Sequence, residues 1–237
     1  PEYADSFSLF DSPLQNVLPA APTGVIYDKP FLPQISEIGE RHPVTASLTP
    51  PGQQEPTWGR WLRHIEVATT SGQELMRGAW DQPLLMLDRV GKGRVALLLS
   101  DTIWLWGKGF DGGGPQAEML RRLAHWLMKE PELEENALTA SVEDGMLQIV
   151  RNSLDETVRQ ITVKAPDGTS QTTQPEYTES GRFVARVPVG DEGLYRIEDG
   201  VLSAVVAVGA ANPLENQDVI ATAARLAPVA DATGGGL

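Results

Sequence analysis

Seven short strand-like runs in the second half of the chain limit the folds open to it more than any other feature. Several of them alternate apolar and polar residues, as half-buried strands do, and turns such as Pro166-Asp167-Gly168 separate the runs. The predicted strands lie at 138–142, 146–152, 158–164, 169–174, 182–188, 193–198 and 201–208. Seven short strands at this spacing are typical of a β-sandwich.

One helix of about three turns is predicted in the first half. It begins after Gly114-Pro115, because proline fits the first turn of a helix, and it ends before Lys129-Glu130-Pro131. Its apolar residues recur at spacings of three and four and form one stripe, which we expect to pack against a sheet. The stripe consists of Met119, Leu120, Leu123, Trp126 and Leu127.

Shorter elements are predicted before that helix. Apolar runs at 83–89 and 94–100 flank Val90-Gly91-Lys92-Gly93, a composition that predicts a buried β-hairpin. Ser12-Pro13 is typical of a helix N-terminus, and 63–70 is typical of a strand. The Pro-rich range 19–57 has weak periodicity and is predicted to be a loop. At the other end of the chain, 213–233 is predicted to be a helix that stops at a glycine run.

Composition excludes several kinds of chemistry. The net charge of the 237-residue chain is −13, most of it after residue 130, so phosphate backbones are repelled and no nucleic-acid partner is expected. There is no cysteine, which excludes disulfides, thiolate metal sites and a cysteine nucleophile from this sequence. The three histidines have no metal-ligand spacing, and no cofactor motif is found, so neither metal nor cofactor is predicted.

Three segments together resemble a known family. They are Gly39-Glu40-Arg41-His42-Pro43-Val44-Thr45, the turn Gly91-Lys92-Gly93-Arg94-Val95, and the run from Ser100-Asp101 to His125-Trp126-Leu127. They are similar to segments of bacterial membrane-anchored proteins that carry a class I glutamine amidotransferase-like domain. The resemblance implies the C-terminal part of a flavodoxin-like α/β domain over 1–135 and an immunoglobulin-like sandwich over 136–210. The helix and Gly-rich end predicted from the residue pattern complete the organisation over 211–237.

Two function classes stay open on this basis. Class I amidotransferases need a cysteine nucleophile, and this sequence has neither a cysteine nor G-x-S-x-G in its place. The favoured interpretation is therefore a non-catalytic interaction or scaffolding module, with protein partners at the membrane and an extracytoplasmic, periplasmic position. The resemblance implies that helices outside this segment anchor the protein in the membrane. The alternative is an amidotransferase- or hydrolase-type enzyme whose nucleophile lies outside this segment. Because the sequence starts at Pro1 without an initiator methionine, we expect it to be part of a longer protein.

Four residues are candidates for lining a cleft. Trp104 and Trp106 alternate along a predicted strand end, so they are expected to face the same side. There they either form an aromatic platform for a sugar or peptide or, as we favour, close the edge of a core. Asp101 is the polar residue expected beside them. His42 is held extended by the following proline, and a loop-anchoring hydrogen bond is favoured over a role as base or ligand.

The other histidines and the glycine run receive structural interpretations. His64 is predicted to lie on the surface of a strand, and His125 has basic neighbours that oppose its protonation. The glycines at 112–114 superficially suit a phosphate-binding loop. However, Pro115 removes one of the required amides and Asp111 adds a repelling charge, so a tight structural turn is predicted.

Overall fold

The chain is mostly β. The computed structural model describes residues 2–5, 8–49, 57–209 and 227–234. Strands make up 40% of the structure and helices 20%, and the strands form antiparallel sheets. A flavodoxin-like fold needs a mostly parallel sheet with helices on both faces. The predicted fold class is therefore wrong for this chain, because it begins with a flavodoxin-like α/β domain and the described residues form no such core.

Two antiparallel sheets form the first half. The smaller sheet pairs β1 (Ala20–Tyr27) with β3 (His64–Thr69). The larger sheet has the order β2-β4-β5-β6 and consists of β2 (Gln34–Ile35), β4 (Gln73–Arg77), β5 (Pro83–Val90) and β6 (Gly93–Leu98). β5 and β6 are the predicted hairpin, and Gly91 in its turn has φ of 57°, which favours glycine.

The predicted loop over 19–57 is wrong in part, because β1 and β2 lie within it. β1 contains Pro22 and Gly24, which are unfavourable inside strands, so the sequence does not predict a strand there. The register of its pairing with β3 shifts between Pro22 and Ile26. Such a bulge lets an edge strand accommodate proline and glycine. Residues 50–56 of the same range lie outside the described residues.

Helices are few and short in the described ranges. They are α1 (Trp104–Gly107), α2 (Gln116–Leu127) and α3 (Ala227–Thr233). Short 3-10 segments lie at Glu2–Ala4, Leu9–Asp11, Pro13–Asn16, Ala79–Asp81, Phe110–Gly112 and Pro131–Leu133. α3 lies within the range 213–233 for which a helix is predicted, and residues 213–226 of that prediction lie outside the described residues. None of these helices has the length and apolar character needed to cross a membrane.

α2 has the predicted position and a narrower buried stripe than predicted. It follows Pro115 and buries Met119, Leu123 and Trp126. Leu120 and Leu127, which the sequence assigns to the same stripe, are exposed. The buried face joins an aromatic cluster between the helix and the larger sheet. This cluster includes Phe31, Trp58, Trp61, Trp106 and Trp126.

Eight strands form the second half, where the sequence predicts seven. They are β7 (Ala137–Glu143), β8 (Met146–Asn152), β9 (Ile161–Lys164), β10 (Ser170–Thr173), β11 (Glu176–Glu179), β12 (Arg182–Pro188), β13 (Gly193–Glu198) and β14 (Ser203–Val208). The sheets have the orders β11-β12-β8-β7 and β10-β9-β13-β14, and both contribute to one apolar core. This is the strand order of immunoglobulin-type sandwiches. β11 is the strand that the sequence does not predict.

Tyr195 joins the end of one strand to the loop before it. Its hydroxyl donates to the carbonyl of Asp191 over 2.9 Å and accepts from the amides of Gly190 and Asp191. A tyrosine at this place in the sheet, bonded back to the preceding loop, is the tyrosine corner of immunoglobulin-type sandwiches.

Candidate binding groove

A groove with a volume of about 670 Å³ lies at one end of the first half. Four parts of the chain meet there: the residues after β1, the residues before β3, the turn after β6, and the first residue of α1. The side chains that line the groove are Asp28, Pro30, Leu62, Arg63, Asp101, Thr102 and Trp104. Apolar and charged surfaces therefore lie side by side in one opening.

Hydrogen bonds fix the turn after β6 against the chain that leads into β3. The hydroxyl of Ser100 donates to the carbonyl of Arg63 over 2.6 Å, and the hydroxyl oxygen of Thr102 accepts from the amide of Leu62 over 3.3 Å. The two hydroxyls also lie 2.8 Å apart. Because Ser100 and Thr102 are buried, water does not compete for these bonds. The turn holds Asp101 and Trp104 in place on either side of Thr102.

Arg63 joins two carboxylates that line the groove. Its Nε donates to Oδ1 of Asp28 over 2.9 Å, and its Nη1 donates to Oδ2 of Asp101 over 3.0 Å. The hydrogen bond to Asp28 and the charge of Asp101 raise the pKa of Arg63, which stays protonated. All three side chains are partly exposed, and together they carry one net negative charge. We call Arg63, Asp28, Asp101 and Trp104 the groove set.

Trp104 and Trp106 face opposite sides, so the prediction that they share a side is wrong. They lie on a helical turn, where two residues are about 200° apart around the axis, and not on a strand. Trp104 is 53% exposed, whereas Trp106 is 2% exposed. The indole of Trp106 donates to the carbonyl of Gly59 over 2.7 Å and contacts Trp58 and Trp61 edge-on.

The glycine run after α1 packs against Trp106. A Cβ on Gly114 would overlap the indole ring, so only glycine fits between this backbone and Trp106. Gly113 has φ of 73°, which again favours glycine. Asp111 accepts a hydrogen bond of 2.6 Å from Nε of Arg60. These contacts agree with the prediction of a tight structural turn.

His42 lies away from the groove and is fully buried. Its Nδ1 accepts from the amide of Val44 over 3.2 Å, and its Nε2 lies 3.8 Å from Oε2 of Glu135. Burial lowers the pKa of His42 to about 4, so the ring is neutral at pH 7. The loop-anchoring bond predicted for His42 is present. The structure thus brings Asp101 and Trp104 together in the groove and places His42 and Trp106 in the interior.

The other two histidines also make local contacts. His64 is fully buried, so its predicted surface position is wrong. Its Nδ1 accepts from the amide of Ala79 over 3.0 Å, which leaves Nε2 to donate to the carbonyl of Pro83 over 2.7 Å. Burial lowers the pKa of His64. His125 lies 2.7 Å from the carboxylate of Glu130.

A second charged set, which the sequence does not reveal, joins the two halves of the chain. Nε and Nη2 of Arg89 donate to Glu135 and Glu134 over 2.7 and 2.6 Å. The indole of Trp126 also donates to Glu135, over 3.1 Å. We call these four residues the junction set: Arg89, Glu134, Glu135 and Trp126. Because Arg89 comes from β5 and the two glutamates directly precede β7, the set fixes the connection between the halves.

Two further contacts reinforce the junction set. Arg94 pairs with Glu134 and lies over the ring of Trp126, 4.8 Å from its centroid. The side-chain amide of Asn152 donates to the backbone carbonyl of Glu134 over 3.2 Å. Despite its burial, the pKa of Glu135 is lowered to about 2, because Arg89 and Trp126 donate hydrogen bonds to its ionised form.

Comparison with known proteins identifies no relative. No family model, no curated protein and no solved structure matches this chain. The resemblance to membrane-anchored amidotransferase-like proteins therefore stays a prediction. Within the described residues, no group of three or more histidine, cysteine, aspartate or glutamate side chains is arranged to hold a metal ion.

Proposed function

We propose that this chain is a non-catalytic interaction or scaffolding module and that the groove is its contact surface. The observation that carries the proposal is the exposure of Trp104 in the same groove as the ion pairs of Arg63 with Asp28 and Asp101. Tryptophan and arginine are enriched among the residues that dominate binding at protein interfaces. A large exposed aromatic group on a fixed turn loses little conformational freedom when a partner covers it.

The chemistry of the groove favours a basic and apolar peptide segment as the partner. Trp104, Leu62 and Pro30 offer apolar surface. Asp28, Asp101 and Arg63 give the groove a net charge of −1, and the net charge of the whole chain is −13. A segment with a lysine or arginine next to a leucine would match both surfaces. An acidic segment would be repelled by the groove and by the chain as a whole.

The positions of the histidines support a role without catalysis. A histidine base must reach its substrate, and both His42 and His64 are fully buried. Their Nδ1 atoms accept backbone hydrogen bonds, and neither ring reaches the groove. The setting in a membrane-anchored bacterial protein, on its extracytoplasmic side, is proposed on the resemblance of the sequence alone.

Synthetic peptides test this proposal. A labelled peptide of alternating lysine and leucine and a matched peptide of glutamate and leucine are titrated with the full chain at low and high salt, and binding is followed by fluorescence anisotropy. We expect only the lysine peptide to bind and its affinity to fall with salt. Trp104→Ala should weaken this binding by about tenfold or more.

Trp80→Ala is the matched control, because Trp80 is also an exposed tryptophan of the first half but does not line the groove. It should leave the affinity for the lysine peptide unchanged. Equal binding of both peptides, no binding of either, or an equal loss in both tryptophan variants would overturn the proposal.

A further inference from the structure

Trp80 lies on a strained turn between β4 and β5. Trp80 and Asp81 both have positive φ, 56° and 59°. The amide of Gln82 donates to the carbonyl of Ala79 over 3.1 Å and closes a turn of the type that usually holds asparagine or glycine at these two positions. Strain of this kind in a bulky residue is found most often at binding and active sites. Because Trp80 is 71% exposed, packing in a core does not account for its position.

The buried ring of His64 fixes both ends of this turn. Its Nδ1 accepts from the amide of Ala79 over 3.0 Å, and its Nε2 donates to the carbonyl of Pro83 over 2.7 Å. The amide of Gly78 also donates to the carbonyl of Gln82 over 2.9 Å. A Cβ on Gly78 would lie 2.9 Å from Cε1 of His64, so the turn packs closely on the ring. The fold therefore holds the strained turn in place from within the core.

Tyr27 and Trp80 form two sides of an aromatic corner. Their ring centroids are 6.4 Å apart, and their planes are inclined at 56°. One cation can therefore lie within about 6 Å of both centroids, the range of cation–π attraction. In the described part of the chain, the arginine that lies over an aromatic ring is Arg94, over Trp126. The corner is thus not filled by a cation of the described residues.

Negative charge surrounds the aromatic corner. The hydroxyl of Tyr27 donates to the carboxylate of Glu66, and this bond lowers the pKa of Glu66 and raises the pKa of Tyr27. At pH 7 the carboxylate is therefore ionised and the phenol is neutral. Next to Trp80 in the chain, Arg77 pairs with Glu74 and Asp81. Three carboxylates and one guanidinium give these side chains a net charge of −2, which attracts a cation.

We infer that Tyr27, Trp80 and Glu66 bind a small free compound that carries a trimethylammonium group. Such a group has no N–H to donate, and it is recognised by the faces of aromatic rings. The ammonium of lysine is strongly hydrated and donates three hydrogen bonds, and the carboxylate of Glu66 offers too few acceptors to replace its water. The corner is separate from the groove, because neither Tyr27 nor Trp80 lines the groove.

Titration of the full chain with choline chloride tests the inference, with the indole N–H signals followed by NMR. We expect the signal of Trp80 to shift until it saturates and the signal of Trp104 to stay in place. The neutral analogue, in which a tert-butyl group replaces the trimethylammonium group, should bind at least about tenfold more weakly. Equal binding of the two compounds, or a Trp80 signal that does not shift, would overturn the inference.

Two leucine variants locate the site by titration calorimetry. Trp80→Leu keeps an apolar side chain and removes the aromatic face, so it should weaken choline binding by about tenfold or more. Trp104→Leu is the matched control, since Trp104 is also an exposed tryptophan of the first half, and it should leave choline binding unchanged. An equal loss in both variants, or no loss in Trp80→Leu, would contradict the assignment.

Trp80→Gly separates loss of binding from loss of the fold. Glycine adopts positive φ without strain, so we expect this variant to have a higher melting temperature and to lose choline binding. A lower melting temperature would contradict the strain at Trp80. A variant that still binds choline with the affinity of the wild type would overturn the inference.

Vesicles of phosphatidylcholine distinguish a free compound from a lipid headgroup. The carboxylates around the corner oppose insertion into an apolar lipid layer. We therefore expect the chain to remain in the supernatant when these vesicles are pelleted. Pelleting of the wild type with the vesicles, abolished in Trp80→Leu, would overturn the assignment to a free compound.

Discussion

The junction set and the groove set combine the same groups, an arginine, two carboxylates and a tryptophan. The arginines are similarly exposed, and the sets differ in the burial of the tryptophan and the carboxylates. In the junction set, Trp126 is fully buried and Glu135 is nearly so. In the groove set, Trp104 and both carboxylates are exposed. Removing one partner from a buried set leaves a charge or a cavity that nothing compensates. Removing one from an exposed set lets water take its place. Burial therefore assigns one set to stability and leaves the other free for binding.

Trp126→Ala should have the largest effect of any single change in this comparison. It creates a cavity beneath α2 and also removes the hydrogen bond to Glu135. We expect a loss of about 3 to 5 kcal/mol in the free energy of unfolding, the usual range for a buried tryptophan. Chemical denaturation followed by circular dichroism measures it. A loss below about 1 kcal/mol would mean that the junction is not part of the core.

The next largest effect is a dependence of stability on pH that arises at His42. Its pKa of about 4 in the folded chain lies below the ordinary 6.5, so protonation favours the unfolded state. The neutral His42 ring contributes about 3 kcal/mol to the free energy of unfolding. This contribution is fully present above pH 6.5 and is lost as the pH falls towards 4. His64 acts in the same direction.

The slope of unfolding free energy against pH between 4 and 6.5 measures this contribution. His42→Asn keeps an acceptor for the amide of Val44 and removes the titrating group. The slope should become shallower in this variant. An identical slope in the variant and the wild type would contradict the assigned pKa of His42.

Glu135→Gln and Asp101→Asn form a matched pair that compares the two sets directly. Each change removes one charge and keeps nearly the same shape. We expect Glu135→Gln to cost about 2 kcal/mol, below the full value for a buried pair because Arg89 is half-exposed. Asp101→Asn should cost less than about 1 kcal/mol, as exposed pairs do. Equal losses, measured by denaturant titration, would remove the distinction between the sets.

Trp104→Ala should have the smallest effect on stability. Because the side chain is mostly in solvent, we expect the free energy of unfolding to change by less than about 0.5 kcal/mol. Thermal melts of this variant and of Trp106→Ala, which should lose about 3 to 5 kcal/mol, give the contrast. A similar drop in melting temperature in both would place Trp104 in the core.

Local signals in the sequence predict the elements that depend on local contacts. Proline before α2 and glycine in the turn of the β5–β6 hairpin mark these elements correctly. The fold of the first half is missed because its sheets depend on distant pairing. β1 pairs with β3 across more than thirty intervening positions. Because β1 contains Pro22 and Gly24, its sequence is typical of a loop.

The candidate site is predicted only in part for a similar reason. The sequence places Asp101 and Trp104 near each other, since they are neighbours in the chain. It cannot show Arg63 and Asp28, which come from 38 and 73 residues earlier and reach Asp101 only through the fold. The spacing of Trp104 and Trp106 suits a strand, and only the helical turn of α1 separates their faces.

The indole N–H signals of the six tryptophans test the central claim most directly. They are assigned by substitution and followed by NMR while the lysine–leucine peptide is added to the full chain. We expect the signal of Trp104 to shift in proportion to binding and the signal of Trp126 to stay in place, because only the groove set faces a partner. A shift at Trp126 without one at Trp104 would contradict the claim that exposure separates the binding set from the stabilising one.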